Sequence, residues 1–210
     1  DLLSGDSNIK LIQQKESFGH NVKTGYNHAG EKYVLFVTSD SPTTREEDVS
    51  EFIGICRELS NEYDWICPIV KESLLKKYYR LFPRPVFKMV PDNIFPNDYI
   101  DEEEVREDGR VGFRITSMAF VNLENLLAER IDEAYNIRKL YRKSSRDTLK
   151  TIFGKKLIRR YRQGLKMSEL EKMASDYEGL RLKFVGLRGA GASLDIDSTK
   201  DVKKFRNLYL

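Results

Sequence analysis

The 210-residue sequence is long enough to form one ordinary domain with a sizeable core, and its 40% content of hydrophobic residues argues against a wholly disordered chain. Two cysteines, Cys56 and Cys67, are too few for a disulfide scaffold or a zinc ribbon. No apolar run approaches the roughly 20 residues that span a bilayer, so we expect a cytoplasmic globular protein.

Strand-like and helix-like segments alternate in the first half of the chain. Residues 32–37 form a continuous apolar run, which is typical of a strand buried on both faces of a parallel sheet. Thr43 or Thr44 then caps a helix whose first turn is acidic. The predicted elements of this half are a strand at 9–13, a helix at 17–29 with Ser17 as its N-cap, a strand at 32–37, a helix from 43 or 44, a strand at 65–70 and a short basic helix at 71–79.

The second half begins with a proline-rich segment and contains short strands, a long helical stretch and a closing helix. Its predicted elements are strands at 86–90, 110–115 and 118–121, about three helices between 123 and 179, a strand at 180–187 and a helix at 198–208. This alternation predicts an α/β fold, with residues 1–210 as a single domain around a doubly wound, mostly parallel sheet and residues 123–179 as a basic helical insert. In such a fold, ligands bind beyond the carboxyl ends of the strands.

Positive charge is concentrated in residues 137–166, which contain twelve basic residues and a single acid, Asp147. Aromatic side chains are interleaved with these cations, a composition compatible with binding to nucleic acid or to an anionic membrane surface. The stretch also fits a packed helix with a solvated basic face, the interpretation that we favour, or pairing with the acidic residues at 101–108. Those acids themselves predict a solvated loop.

Two acidic positions are candidates for chemistry. Asp40 directly follows the apolar strand, where a carboxylate can hold a hard cation such as Mg2+ together with substrate phosphates. Asp195 and Asp197 lie two residues apart, so that on an extended segment both point to one face and can share a metal ion. The alternatives are a turn or capping role for Asp40, and capping of the last helix by Asp197 or Ser198.

Two segments carry a resemblance to a known family. Residues 34–53, VLFVTSDSPTTREEDVSEFI, resemble a signature of the nucleotidylyltransferases related to the molybdenum-cofactor enzymes, in which a hydrophobic strand leads into Asp-x-Pro and a helix. Residues 194–205, LDIDSTKDVKKF, resemble the closing segment of that family. Between them, residues 147–176 are similar to a helical insert of uncharacterised members. The two specific segments follow the family's order along the chain.

This resemblance implies the α/β fold of sugar-nucleotide transferases. It also implies the transfer of a nucleoside monophosphate from a nucleoside triphosphate to a phosphorylated small molecule, with release of pyrophosphate. Asp40 and Asp195 match the family's ligands for Mg2+ or Mn2+, and Pro42 and Asp197 match its nucleotide-binding surroundings. A metal in that position bridges phosphate oxygens and stabilises the charge of phosphoryl-type transfer.

The sequence departs from the family at three places, of which the least important is the start of the last helix, where Thr199 and Lys200 stand in place of the family's usual Pro and Glu. Members open with a glycine-rich loop whose backbone N–H groups hold the triphosphate, whereas the glycines near the start of this sequence are scattered, so we expect such a loop upstream of Asp1. Thr116, Ser117 and Met118 stand where relatives often have Gly-Gly-Asn, which leaves the acceptor open. Two alternatives therefore remain: a non-catalytic relative that acts as a binding module, and a nucleic-acid-binding protein that uses the basic helices.

Overall fold

The architecture is one mixed sheet with helices on both faces. The computed structural model describes residues 12–13, 17–79, 86–92, 99–124, 128–140, 159–196 and 198–209, so most of the strand predicted at 9–13 lies outside the described residues. The helices are α1 (Phe18–Ala29), α2 (Glu46–Leu59), α3 (Glu72–Tyr79), α4 (Ala128–Leu140), α5 (Met167–Glu178) and α6 (Thr199–Tyr209). The strands are β1 (Val34–Val37), β2 (Trp65–Lys71), β3 (Phe87–Met89), β4 (Val111–Ile115), β5 (Met118–Val121) and β6 (Leu182–Gly186).

Strand β2 lies at the centre of the sheet and pairs along both of its edges. On one edge, β4 and β5 follow one another antiparallel to β2, with Ile69 opposite Ile115. On the other edge, β6 runs parallel to β2, with Cys67 opposite Phe184. The outer edge of β5 pairs with β1 and that of β4 with β3, both antiparallel.

The prediction of an α/β fold is confirmed, but the prediction of a doubly wound, mostly parallel sheet is wrong. Among the described strands, β2 and β6 form the one parallel pair, and the other four pairings are antiparallel. The reason lies in residues 111–121. They form β4 and β5, which run one after the other antiparallel to β2, with a break at Thr116 and Ser117. A strand covered on both faces is continuously apolar whichever way it runs, so the apolar pattern does not specify this reversal.

Alternate residues of β2 point to opposite faces of the sheet, and each face has its own core. Ile66 and Val70 belong to a buried cluster with α2, whereas Cys67 and Ile69 belong to a cluster with α5. A third cluster joins α1 and α4 to β5. Helices therefore cover both faces. None of the helices in the described ranges has the length and apolar content to cross a membrane.

Strand β1 differs from its prediction in burial. It pairs with β5 along one edge, and its residues are half-buried or exposed, with Val37 46% exposed. The expectation of a strand buried on both faces is therefore wrong. A four-residue strand at the margin of a sheet has the same apolar composition as a central one, so the sequence pattern does not separate the two positions.

The start of α1 is confirmed and is fixed by α4. Ser17 is the N-cap, and its hydroxyl oxygen accepts a hydrogen bond from the His20 N–H at 3.2 Å. The Asp132 carboxylate of α4 accepts from the Ser17 hydroxyl at 2.5 Å and from the Gly19 N–H at 2.6 Å. These hydrogen bonds lower the pKa of Asp132 and attach the first turn of α1 to α4.

The start of α2 differs from the prediction. The N-cap is Arg45 rather than Thr43 or Thr44, the helix begins at Glu46, and the Asp48 carboxylate accepts a hydrogen bond from the Arg45 N–H at 3.1 Å. Asp48 is 1% exposed, so this acid of the first turn is a buried structural group rather than part of a solvated surface. Its charge is favourable there because the N-terminus of a helix carries partial positive charge.

The position of Asp48 explains two glycines in the loop that follows β6. A Cβ at Gly189 would lie 1.7 Å from Asp48 Oδ1, and a Cβ at Gly191 would lie 2.2 Å from the Thr43 carbonyl oxygen. The loop lies directly against the first turn of α2 because neither position has a side chain. This contact brings the segment after β6 beside the loop between β1 and α2.

We predict that Gly191→Ala lowers the free energy of unfolding by about 1–3 kcal/mol, because the added methyl group overlaps the backbone carbonyl oxygen of Thr43 and the buried carboxylate of Asp48. Urea-induced unfolding followed by circular dichroism measures the change.

The matched control is Gly54→Ala in α2, where a Cβ meets no neighbouring atom within 4 Å. This substitution should raise stability by up to about 1 kcal/mol, because alanine is the better helix former. A Gly191→Ala variant as stable as the wild type would contradict the close contact.

Candidate functional site

The carboxyl ends of β1, β2 and β6 lie at the same edge of the sheet. β1 and β2 are both antiparallel to β5, and β6 is parallel to β2, so the three strands run in one direction. Asp40 follows β1, Lys71 ends β2, and the segment with Asp195 follows β6. Ligands bind in α/β proteins at this kind of edge, and the predicted site residues reach it from distant parts of the sequence.

Asp40 and Asp195 lie on adjoining segments. The Ile196 N–H donates a hydrogen bond to the Asp40 carbonyl oxygen at 2.7 Å. The hydroxyl of Ser41, which is itself buried, donates to Asp195 Oδ1 at 3.2 Å. The Asp40 side chain is exposed and accepts a hydrogen bond from the Thr38 hydroxyl. The structure thus brings together two acids that stand more than 150 positions apart in the sequence.

Arg114 is a third charged residue of this site, and it is not among the residues predicted from the sequence. Its Nη2 donates to Asp195 Oδ2 at 2.9 Å, and the two side chains are only 10% and 18% exposed. Arg114 lies in β4 directly opposite Val70 of the central strand. The sequence signal was a lone arginine inside the buried run VGFRI, a position where a charged residue needs a partner.

Three loops are held together beneath this site by hydrogen bonds. The Ser117 N–H and hydroxyl both donate to the Ala192 carbonyl oxygen at 2.7 Å, and the Ser117 carbonyl accepts from the Thr38 N–H at 3.0 Å. The Thr43 hydroxyl donates to the Gly191 carbonyl oxygen at 2.6 Å. Backbone atoms between β4 and β5 therefore fix the segments after β1 and after β6 relative to each other.

The remaining predicted residues have different outcomes. Pro42 is exposed beside Ser41, whereas Asp197 lies outside the described residues. Met118, at the position where relatives often have asparagine, is 2% exposed and belongs to the core next to α2, so it does not line the edge of the sheet. In the described part of the chain, no three His, Cys, Asp or Glu side chains form a group that could hold a metal ion by themselves.

A second charged cluster surrounds Lys71 at the end of β2. The buried Lys71 ammonium lies 2.8 Å from Glu104 Oε2 and 3.6 Å from Asp101 Oδ2, above the Tyr99 ring. Burial acts to raise the pKa of Glu104, but hydrogen bonds from Lys71 and Ser73 outweigh it, and the pKa is lowered. The prediction of a solvated acidic loop is therefore wrong at Glu104, because this carboxylate forms an ion pair with the buried ammonium group of Lys71.

Most of the basic stretch at 137–166 lies outside the described residues. Arg159, Arg160 and Arg162 are exposed, while Tyr161 is half-buried and packs against the core cluster that includes α5. The Tyr161 hydroxyl accepts a hydrogen bond from the Lys88 N–H at 2.9 Å. This last turn of the stretch has a packed side and a charged, solvated side. Binding of the stretch to nucleic acid or to a membrane surface stays a prediction.

Comparison with solved structures, unlike comparison with family models and curated proteins, finds proteins of similar fold. No protein-family model and no curated protein matches the sequence. A solved structure from Thermus thermophilus, named as a hypothetical transferase, is similar in fold with a TM-score of 0.62. The similarity covers 90% of this chain and 71% of that one at 17% sequence identity. At this identity the comparison establishes a shared fold alone, so an argument about function has to start from the residues of the site.

We predict that Glu104→Gln lowers the free energy of unfolding at pH 7 by about 1–3 kcal/mol, because it leaves the buried Lys71 ammonium without its nearest charged partner. A carboxylate with a depressed pKa in the folded protein contributes stability that is present above the ordinary glutamate pKa of about 4.3 and is lost as the pH falls through its folded-state value.

The stability difference between wild type and Glu104→Gln should therefore be constant near neutral pH and shrink in acid. Urea unfolding across this pH range measures it. Glu103→Gln, in the same turn but exposed, is the matched control and should have little effect at any pH. A difference that grows as the pH falls would contradict the assigned role of Glu104.

Proposed function

We propose that this protein is a metal-dependent nucleotidyltransferase that moves a nucleoside monophosphate from a nucleoside triphosphate to a phosphorylated small molecule and releases pyrophosphate. The observation that carries the proposal is the meeting of the Asp-x-Pro segment with the segment of Asp195, joined by the hydrogen bond from Ile196 to Asp40. The fold similarity to a structure named as a hypothetical transferase supports the general class. The order of the two resembling segments along the chain supports the type of reaction.

The donor atoms present fit a hard divalent cation such as Mg2+ or Mn2+. Asp40 offers an exposed carboxylate, and Asp195 Oδ1 accepts a long hydrogen bond from the rotatable Ser41 hydroxyl, which a metal can replace. Mg2+ in phosphate-handling sites is commonly held by one or two protein carboxylates together with substrate phosphates and water. Two acids are therefore sufficient, and Asp40 and Asp195 would hold the ion. When bound, it would polarise phosphate oxygens and offset their charge.

The contribution of the chain is to position the reactants. A phosphate oxygen of the acceptor forms a bond to the α-phosphorus of the nucleotide while the bond from that phosphorus to the bridging oxygen of pyrophosphate breaks. Such transfers depend mainly on alignment and on charge stabilisation rather than on covalent chemistry by the protein. The loops with Asp40 and Asp195 suit this role because both are hydrogen-bonded to Ser117, the first through the Thr38 N–H and the second through the Ala192 carbonyl oxygen.

Asp40→Asn and Asp195→Asn should each abolish the stabilisation of the protein by Mg2+ with its nucleoside triphosphate. At a nucleotide concentration about 100-fold above Kd, binding contributes about 2.7 kcal/mol, which corresponds to a rise in Tm of about 5–10 °C for a chain of this length. Differential scanning fluorimetry with each nucleoside triphosphate, with and without Mg2+, measures the shift relative to each variant's own unliganded Tm.

The control variant is Asp176→Asn, since Asp176 is an exposed acid of α5. It should retain the full stabilisation, which separates loss of the two site carboxylates from a general loss of negative charge. The proposal fails if no nucleoside triphosphate stabilises the wild type with Mg2+, or if Asp40→Asn keeps the complete shift.

A further inference from the structure

Arg114 and the proposed metal ion would share the carboxylate of Asp195. The guanidinium holds Oδ2 at 2.9 Å, and the other oxygen, Oδ1, faces the Ser41 hydroxyl at 3.2 Å. The Ser41 hydroxyl can rotate away from Oδ1 at little cost, whereas the charged hydrogen bond from Arg114 to Oδ2 is short. A metal ion on Oδ1 would thus have a fixed positive charge on the opposite side of the same carboxylate.

This arrangement has opposite consequences for a free cation and for its phosphate complex. The side chain of Arg114 is 10% exposed, so solvent screens its charge less than at the surface. Its charge repels a free divalent ion and competes with that ion for the negative charge of Asp195. It attracts the complex of the same ion with a polyphosphate, which is anionic. Guanidinium groups also match phosphate oxygens in geometry.

We propose that Arg114 makes this site selective for a divalent metal ion bound to a polyphosphate over the free metal ion. The inference rests on the proposed function and adds the form in which the metal enters. Arg114 acts as a positioning and selectivity residue: it holds Asp195 with Oδ1 toward the loop of Asp40, and it lowers the affinity for metal that arrives without phosphate.

A second ion pair in the protein provides a comparison. Arg181 and Asp64 have the same Nη2–oxygen distance of 2.9 Å, and Arg181 binds both carboxylate oxygens, Oδ1 through Nη2 and Oδ2 through Nε at 3.0 Å. That arginine is 57% exposed, and the pair joins the start of β6 to the start of β2. Its geometry is that of a surface clamp, whereas Arg114 Nη2 donates to Oδ2 of Asp195 and the Ser41 hydroxyl donates to Oδ1.

The test measures Mn2+ binding to the purified protein, with and without saturating pyrophosphate, by electron paramagnetic resonance of the free ion and by calorimetry. The wild type should bind Mn2+ with pyrophosphate at least about tenfold more tightly than Mn2+ alone. In Arg114→Gln, affinity for Mn2+ with pyrophosphate should fall at least about tenfold, whereas affinity for Mn2+ alone should stay the same or rise.

Two further variants are controls for the result. Arg181→Gln removes an ion pair of equal length away from the site and should leave both affinities unchanged. Arg114→Lys keeps the charge and loses the planar fork, so it should retain a preference for Mn2+ with pyrophosphate that exceeds that of Arg114→Gln.

Four outcomes would overturn the inference. Equal losses of both affinities in Arg114→Gln would mean that Arg114 only supports the fold around Asp195, and unchanged affinities would mean that it has no role in binding. Equal wild-type affinities for Mn2+ with and without pyrophosphate would refute the selectivity even if Arg114→Gln does not fold. If the wild type binds Mn2+ in neither form, the proposed function fails and the inference fails with it. Wild-type binding that is lost in Asp195→Asn supports the proposed function separately.

Discussion

The close approach of the loop after β6 to the first turn of α2 determines where a site can form in this protein. Gly189 and Gly191 allow that loop to rest on the buried Asp48, and the Thr43 hydroxyl donates a hydrogen bond to the Gly191 carbonyl oxygen of the same loop. From this contact the chain continues directly to Asp195, which therefore arrives beside Ser41 and Asp40. A bulkier residue at either glycine would displace the loop, and the two acids would separate even if every helix and strand were preserved.

Charged groups with low exposure at the carboxyl ends of the strands are the second theme of the structure. Lys71 and Arg114 lie on the two innermost strands of the sheet, and each is paired with an acid from a loop. Ion pairs in such places are weak evidence of stabilisation, because removing two charges from water costs about as much as their attraction returns. The anionic substrate of the proposed function would require positive charge at this edge of the sheet, and Lys71 and Arg114 would supply it.

Helices and strands could be predicted from the sequence because their signals are local. The apolar run 65–70 and the Ser17 cap correspond closely to β2 and α1. The direction of the strands could not be predicted in this way, since 111–121 reads as two apolar strands whether they are parallel or antiparallel to β2. The adjacency of Asp40 and Asp195 followed from the order of two resembling segments, whereas Arg114 and Lys71 were missed because their partners lie far away in sequence.

The balance of charge in the site connects its fold to its proposed chemistry. Asp40 and Asp195 carry two negative charges and Arg114 one positive charge, so a divalent ion in their midst leaves the ensemble positive. Such a site gains most when the ion arrives with phosphate oxygens attached, because their negative charge then interacts with the metal and with the guanidinium at once. In the proposed site, the arginine that would weaken the hold on a free ion would thereby strengthen the hold on a metal–nucleotide complex. The structure shows the two carboxylates hydrogen-bonded to Thr38, Ser41 and Arg114, and the proposed metal–nucleotide complex would exchange with the hydroxyl contacts while the contact to Arg114 remains.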